Sequence, residues 1–256
     1  MGRLLLAILL LSLWVFPAQA NWCDNVNCQA CWLMEGNDTE ADESQNSNTL
    51  TVSAGDTIPR STTRSFGDYS RDFEEDDEDY MYITDGDQVG LDMVGDLSIV
   101  VWTKTEAITD AGGDKFVMRW DTGKKDFGFI IHNTEKLFFE KNGTVDKSVS
   151  GDTVLEDNTE YHCAAVFNTT AGTMTVYLNG VQDGTVGSAG SDIDYNNAGI
   201  TVGASVDFIA NQWGFDGLID EVGVFDIAID STDISDMIDN GLLQVAAAGQ
   251  IIFVNQ

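Results

Sequence analysis

Proline is nearly missing from this chain. Two prolines in 256 residues, Pro17 and Pro59, exclude a Pro-rich linker or a collagen-like repeat. Cations are scarce too: 12 Lys and Arg stand against 43 Asp and Glu, a net charge of −31. Such a surface repels phosphate backbones and anionic lipid, so no nucleic acid and no membrane surface is expected as partner. After the first twenty residues no apolar run approaches the roughly 20 residues that a spanning helix needs. Only two histidines are present, His132 and His162, and no G-x-S-x-G accompanies them, so the sequence offers no His-based nucleophile. His162, inside "YHCAAV", reads as a packed strand residue.

The apolar run that does exist sits at the start. Arg3, then Leu4–Val15, then "PAQA" with Ala18-x-Ala20, has the form of a secretory signal over residues 1–20. The chain is therefore expected to be secreted, in the extracellular space or at the cell surface. Cys23, Cys28, Cys31 and Cys163 then form an even set, which in an exported chain suggests two disulfides with three possible connectivities. "CQAC" has no βαβ surroundings and no second pair, which argues against redox or zinc chemistry.

What is abundant is alternation with period two. "TMTVYLNG" sets Met174, Val176 and Leu178 against Thr173, Thr175 and Tyr177, then turns at Asn179-Gly180. "KLFFEKNGTV" repeats the pattern at Asn142-Gly143, and both pairs suit type I′ hairpins. "LSIVVWTK", "DKFVMRW", "FGFIIHN", "YHCAAVF" and "GITVGA" are further strands rich in β-branched and aromatic residues. "DSTDISDMIDNGL" alone has helical spacing, with Ile234, Met237 and Ile238 on one face, a Ser or Asp cap and Gly241 as stop. Together these give an all-β, two-sheet antiparallel sandwich with one short C-terminal helix. It spans residues 30–243 and follows a Cys-containing segment, 21–29. Residues 36–49 read as a polar loop, and 244–256 as a final strand or a tail.

Several segments, in order, resemble the laminin G-like, concanavalin A-like domains. They are "CWLMEGNDTEADESQNSNTLT", "RDFEEDDEDYMYITDGDQVGLDMVGDLSIVVW", "NTEYHCAAVFNTTAGTMTVYLNGVQDGT" and "WGFDGLIDEVGVFDIAIDSTDISDMIDNG". The resemblance implies a jelly roll of two curved antiparallel sheets, a binding module for glycans or protein partners, and often a structural calcium.

Acids cluster at two places. Strict alternation through "GLIDEVGVF" puts Leu218, Asp220, Val222 and Val224 on one face. Asp220 would then need backbone N–H groups, an arginine or a cation. The run Glu74 to Asp79 reads as a solvated loop or a cation site. The family likeness implies a calcium ion shared between this loop, through one or two of Asp76, Asp77 and Asp79, and Asp220. Glu74-x-Asp76-x-Glu78 also has the E-x-D-x-E form of laminarinase-type glycosidases, but its intervening residues, Glu75 and Asp77, are charged where such a strand needs apolar ones.

Trp120, Tyr195, Phe208 and Trp213 are the candidate sugar platforms, since a pyranose stacks its apolar face on a ring. Trp102 is assigned to the core. Asn37, Asn142 and Asn168 stand in glycosylation sequons. The reading is a secreted, non-catalytic module for a carbohydrate or an extracellular protein, stabilised by calcium. Its rivals are a self-assembling coat or filament subunit, pairing through "GQIIFVNQ", and a glycoside hydrolase.

Overall fold

The structure is a computed structural model, and it describes residues 21–53, 57–75, 77, 79–108, 113–121, 123–205 and 214–243. Sixteen strands, numbered in chain order, form two eight-stranded sheets, and one helix completes the described fold. The first sheet runs β14 (Val181–Gly187), β13 (Thr173–Leu178), β12 (Glu160–Asn168), β7 (Leu97–Thr105), β16 (Gly217–Phe225), β5 (Ser70–Phe73), β4 (Arg60–Ser61), with β1 (Cys28–Trp32) also paired to β16. The second runs β11 (Lys147–Ser150), β10 (Lys136–Lys141), β9 (Lys124–His132), β8 (Asp114–Asp121), β15 (Ile200–Gly203), β6 (Met81–Ile83), β3 (Leu50–Val52), β2 (Thr39–Glu40). All the pairings are antiparallel. This is the sandwich that the alternation predicts.

Period two explains the core. Leu97, Ile99 and Val101 of β7 and Cys163, Ala165 and Phe167 of β12 point between the sheets. They meet Phe127, Phe129 and Ile131 of β9 and Leu137 and Phe139 of β10. Phe116, Phe129, Phe139, Phe73 and Phe215 pack edge-on or tilted, the geometry that ring quadrupoles favour.

The outer face of the first sheet is covered as well. Val100, Ala164, Val166 and Phe225 lie under Trp22, the Cys23–Cys31 disulfide and α1 (Ser231–Asn240). Asp230 caps α1 by accepting N–H bonds from Thr232 and Asp233, and Asp233 answers the Asp230 amide. Gly241 ends it at φ 76°. Residues 21–29 are therefore part of the fold rather than a separate arm: the Trp22 amide donates to Leu242 O at 3.0 Å, and its indole to Asp236 at 2.8 Å.

One disulfide forms among the described residues, Cys23–Cys31, not two. Cys28 lies on the outer side of the first sheet and Cys163 in the core, so a sheet separates them. The hairpins also divide. Asn179 and Gly180 take positive φ as a type I′ turn requires, whereas β10 and β11 are joined by the five residues 142–146. Gly143 is needed there for space, because a Cβ would meet Asp192 O at 2.5 Å. The stretch 36–49 includes the short strand β2.

Candidate functional site

The acids of "GLIDEV" do not follow strict alternation. Against β7 the register of β16 shifts between Asp220 and Gly223, and Glu221 sits at φ 40°. This bulge corrects the sequence reading. Ile219, Val222 and Val224 enter the core, while Asp220 and Glu221 both turn away from it. Asp220 Oδ2 accepts the amides of Ser65 at 2.8 Å and Phe66 at 3.1 Å. Glu221 Oε2 accepts that of Leu242 at 2.9 Å. Nearby, Glu35 Oε1 accepts Asp68 and Tyr69. Burial first, offset by these amide bonds, pushes Asp220 up to about 7 and Glu221 up to about 8. These carboxylates hold a loop and a helix end in place.

The expected calcium set does not come together among the described residues. Asp79 closes the turn after β5 by accepting the Glu74 amide, Asp77 is exposed there, and Asp220 pins a different loop. Asp76 lies outside the described residues. The cavity of about 10 Å³ beside Asp220 is lined by Arg64, Lys104, Trp102 and Glu160. Among the described residues no group of three or more His, Cys, Asp or Glu is placed to hold a metal ion. Strand β5 stops at Phe73, so Glu74 starts a turn and the E-x-D-x-E spacing does not alternate along a strand; Glu78 is outside the described residues.

His132 packs against Phe138, ring centres 4.9 Å apart. His162 lies edge-on to Trp102 at 5.1 Å, and burial pushes it down to about 3, so it stays neutral. Trp102 itself is a correction. It is half-buried on the outer face of the first sheet, against Phe66 and His162, rather than in the core.

The second sheet carries two neighbouring tyrosines beside a groove. Tyr82 is half-buried between the core residues Met81 and Ile83, and pairs with Thr51 and Thr201 across β3 and β15. Tyr80 stands 5.8 Å from it, ring to ring. With Thr84, Asp85, Asn197 and Thr201 they line a groove of about 450 Å³, whose floor at Gly199 has no side chain. Two rings with hydroxyl, amide and carboxylate groups beside them is the composition a sugar site needs.

Arg119 sets the wall of this groove. Wholly buried, its Nη2 meets Asp92 at 2.8 Å and Asp85 at 3.3 Å, and its Nε meets Asp126 at 3.4 Å. It also donates to the carbonyls of Leu91 and Ala198. One cation thus ties residues 85–92 to residues 195–198. Tyr195, the predicted platform, is 46% exposed, stacks over this guanidinium at 5.0 Å and donates to Asp85 at 3.4 Å. Trp120 lies near the end of β8, in the strand the sequence predicts. It is buried beside Met118 and Ile130, with Lys125 Nζ 3.9 Å from its ring centre. Phe208 and Trp213 lie outside the described residues. Tyr80, Tyr82, Asp85, Asn197 and Thr201 went unassigned in the sequence, although "YMYIT" carries the alternation that exposes both tyrosines.

A family model described as the concanavalin A-like lectin/glucanases superfamily matches residues 75–235. No curated protein matches the chain. Among solved structures, the binding domain of Paraclostridial Mosquitocidal Protein 1 aligns at TM-score 0.64 and 14% identity, over 83% of this chain and 52% of that one. Domain 4 of AbnA, a GH43 extracellular arabinanase from Geobacillus stearothermophilus solved with arabinotriose, aligns at 0.62 and 17%, over 83% and 98%. The binding domain of Botulinum neurotoxin DC, in complex with rat synaptotagmin II, aligns at 0.58 and 14%, over 83% and 51%. The chain spans about half the length of the two toxin domains and nearly all of the arabinanase domain. At these identities the likeness concerns the fold.

Proposed function

On the premise that the chain belongs to the concanavalin A-like lectin/glucanases superfamily, we propose that it is an exported, non-catalytic binding module. Its ligand is a neutral oligosaccharide held in the Tyr80–Tyr82 groove. The observation that carries this reading is the pair of rings 5.8 Å apart, set among Thr84, Asp85, Asn197 and Thr201. Each ring stacks on the apolar face of a sugar, while the carboxylate, amide and hydroxyls order its hydroxyl groups.

Charge narrows the ligand. Asp85 lies in the groove and the whole chain carries −31, so a sialylated or sulfated glycan meets repulsion that a neutral one does not. Arg119 is fully engaged with three acids and does not offset this. The arabinanase domain, solved with arabinotriose, is a related fold with a neutral sugar ligand. The toxin domain solved with synaptotagmin II keeps a protein ligand as the second reading.

Catalysis has no support in the arrangement of the acids. Asp220 and Glu221 are occupied by backbone amides beneath a loop and a helix end, away from the groove. The Cys23–Cys31 disulfide fits export. Calcium enters the proposal as a stabiliser alone, and a rise in melting temperature at millimolar calcium is its test. A glycan array, run with calcium and with chelator, tests the ligand class. Neutral oligosaccharides should bind and sialylated ones should not. An array on which only anionic glycans bind contradicts the proposal.

A further inference from the structure

The outer face of the first sheet holds a small polar cavity beside residues 63–65. Strand β16 pairs with β7 so that Asp220 stands opposite Trp102, and β7 pairs with β12 so that Trp102 stands opposite His162. The next loop closes over this row. The Ser65 and Phe66 amides donate to Asp220 Oδ2, and the Phe66 ring tilts against Trp102 at 6.1 Å. Two polar atoms of the row are buried and have no hydrogen-bond partner among the described residues. One is Asp220 Oδ1, on a residue only 3% exposed, and the other is Nε1 of Trp102. Both residues line the cavity of about 10 Å³. Oδ2 is satisfied twice, whereas Oδ1 and the indole N–H are each buried without a counterpart, which is costly.

Size and chemistry select the occupant. A cavity of about 10 Å³ takes one water-sized molecule and nothing larger. The indole N–H needs an acceptor and the carboxylate oxygen needs a donor, so the occupant must be both. A metal ion or an ammonium accepts nothing from the indole, and a halide donates nothing to the carboxylate. The rim favours neither sign, since Arg64 and Lys104 stand against Glu160 and Asp220. Water meets both demands. It still meets them when Asp220 takes up a proton, because it then accepts from Oδ1 as well as from the indole.

We propose that this cavity is a binding site for one ordered water, which accepts from Trp102 Nε1 and donates to Asp220 Oδ1, and so bridges β7 and β16. The water completes the hydrogen bonding of the carboxyl group and keeps it turned toward the Ser65 and Phe66 amides. Trp102 is thereby a positioning residue for the loop that Asp220 holds. The site is separate from the tyrosine groove, which lies on the other sheet, so either can fail alone.

A crystal structure of the parent protein, at a resolution that orders buried waters, tests the site. One density peak should lie about 2.7–3.2 Å from both Nε1 and Oδ1. A direct bond between the two side chains, a peak ringed by about six oxygens as for a metal, or no peak at all would overturn the proposal. Amide hydrogen exchange tests the role. Replacing Trp102 by β-(3-benzothienyl)alanine keeps the shape of the ring and removes its N–H. The Ser65 and Phe66 amides should then exchange about fivefold to tenfold faster. Trp102→Phe, which also lacks the donor, should speed them at least as much. The Val166 amide, in the middle of β12, should keep its parent rate in the benzothienyl protein. Parent rates at Ser65 and Phe66 in both proteins would overturn the positioning role. So would an acceleration in the benzothienyl protein that extends equally to Val166, since it would mark a loss of overall stability.

Discussion

Asp220 Oδ2 lies 2.8 Å from the amide nitrogen of Ser65, across 155 residues of sequence, and so fastens the entry to β5 onto β16. The acid that alternation sets among apolar neighbours finds the backbone N–H groups it needs and serves as a loop clasp. Its neighbour Glu221 fastens the end of α1 in the same way. Two carboxylates beneath one cover carry a thermodynamic consequence.

Stability should fall as pH rises. Asp220 goes from an ordinary 3.8 to about 7 on folding and Glu221 from 4.5 to about 8, both chiefly through burial. Between those values the folded chain binds protons that the unfolded chain releases, so the slope of unfolding free energy with pH is negative. The contribution is complete below about pH 4 and is lost as pH climbs through 7 and 8. Urea melts at pH 5 and pH 9 should differ by on the order of 6 kcal/mol. The double variant Asp220→Asn, Glu221→Gln should flatten the slope. An unchanged slope would show that other groups set it.

Arg119 should be worth more to stability than its single charge suggests. Arg119→Met removes the cation that Asp126 meets inside the protein, where both side chains are wholly buried, and releases two loops together. The expected loss is about 3–5 kcal/mol, because a buried carboxylate is left unpaired. Urea unfolding measures it. A loss below about 1 kcal/mol would mean that the acids around Arg119 find water instead.

Thiol chemistry should report the same architecture. Cys28 and Cys163 are buried, and burial first pushes Cys28 up to about 12 and Cys163 higher still. Native protein should therefore resist iodoacetamide, and two thiols should react in denaturant. Mass spectrometry should find the remaining pair bridged as Cys23–Cys31. A bridge that includes Cys163 would contradict the placement of that residue between the sheets.

The sandwich was legible because its strands alternate simply. Met174 and Val176 are inward wherever the reading puts them inward, and Ile234 and Met237 sit on the buried side of α1. The sites were less legible, for physical reasons. Glu221 at positive φ breaks the alternation of β16, and nothing local marks a glutamate for that conformation. Asn142-Gly143 has the composition of a tight turn, but tertiary contact with Asp192 sets its shape. Tyr80 and Tyr82 were visible as alternating residues, yet their value depends on Asp85 and Asn197 reaching them from loops that Arg119 joins. Spacing along a chain does not record such convergence.

The central claim is that the tyrosine pair on the second sheet binds a neutral sugar, and calorimetric titration of Tyr82→Ala against the parent protein tests it most directly. With the best neutral oligosaccharide from the array, the account predicts about a tenfold loss of affinity. The melting temperature should stay within about 2 °C, because Tyr82 leaves the core untouched. Unaltered affinity in Tyr82→Ala and in Tyr80→Ala alike would contradict it.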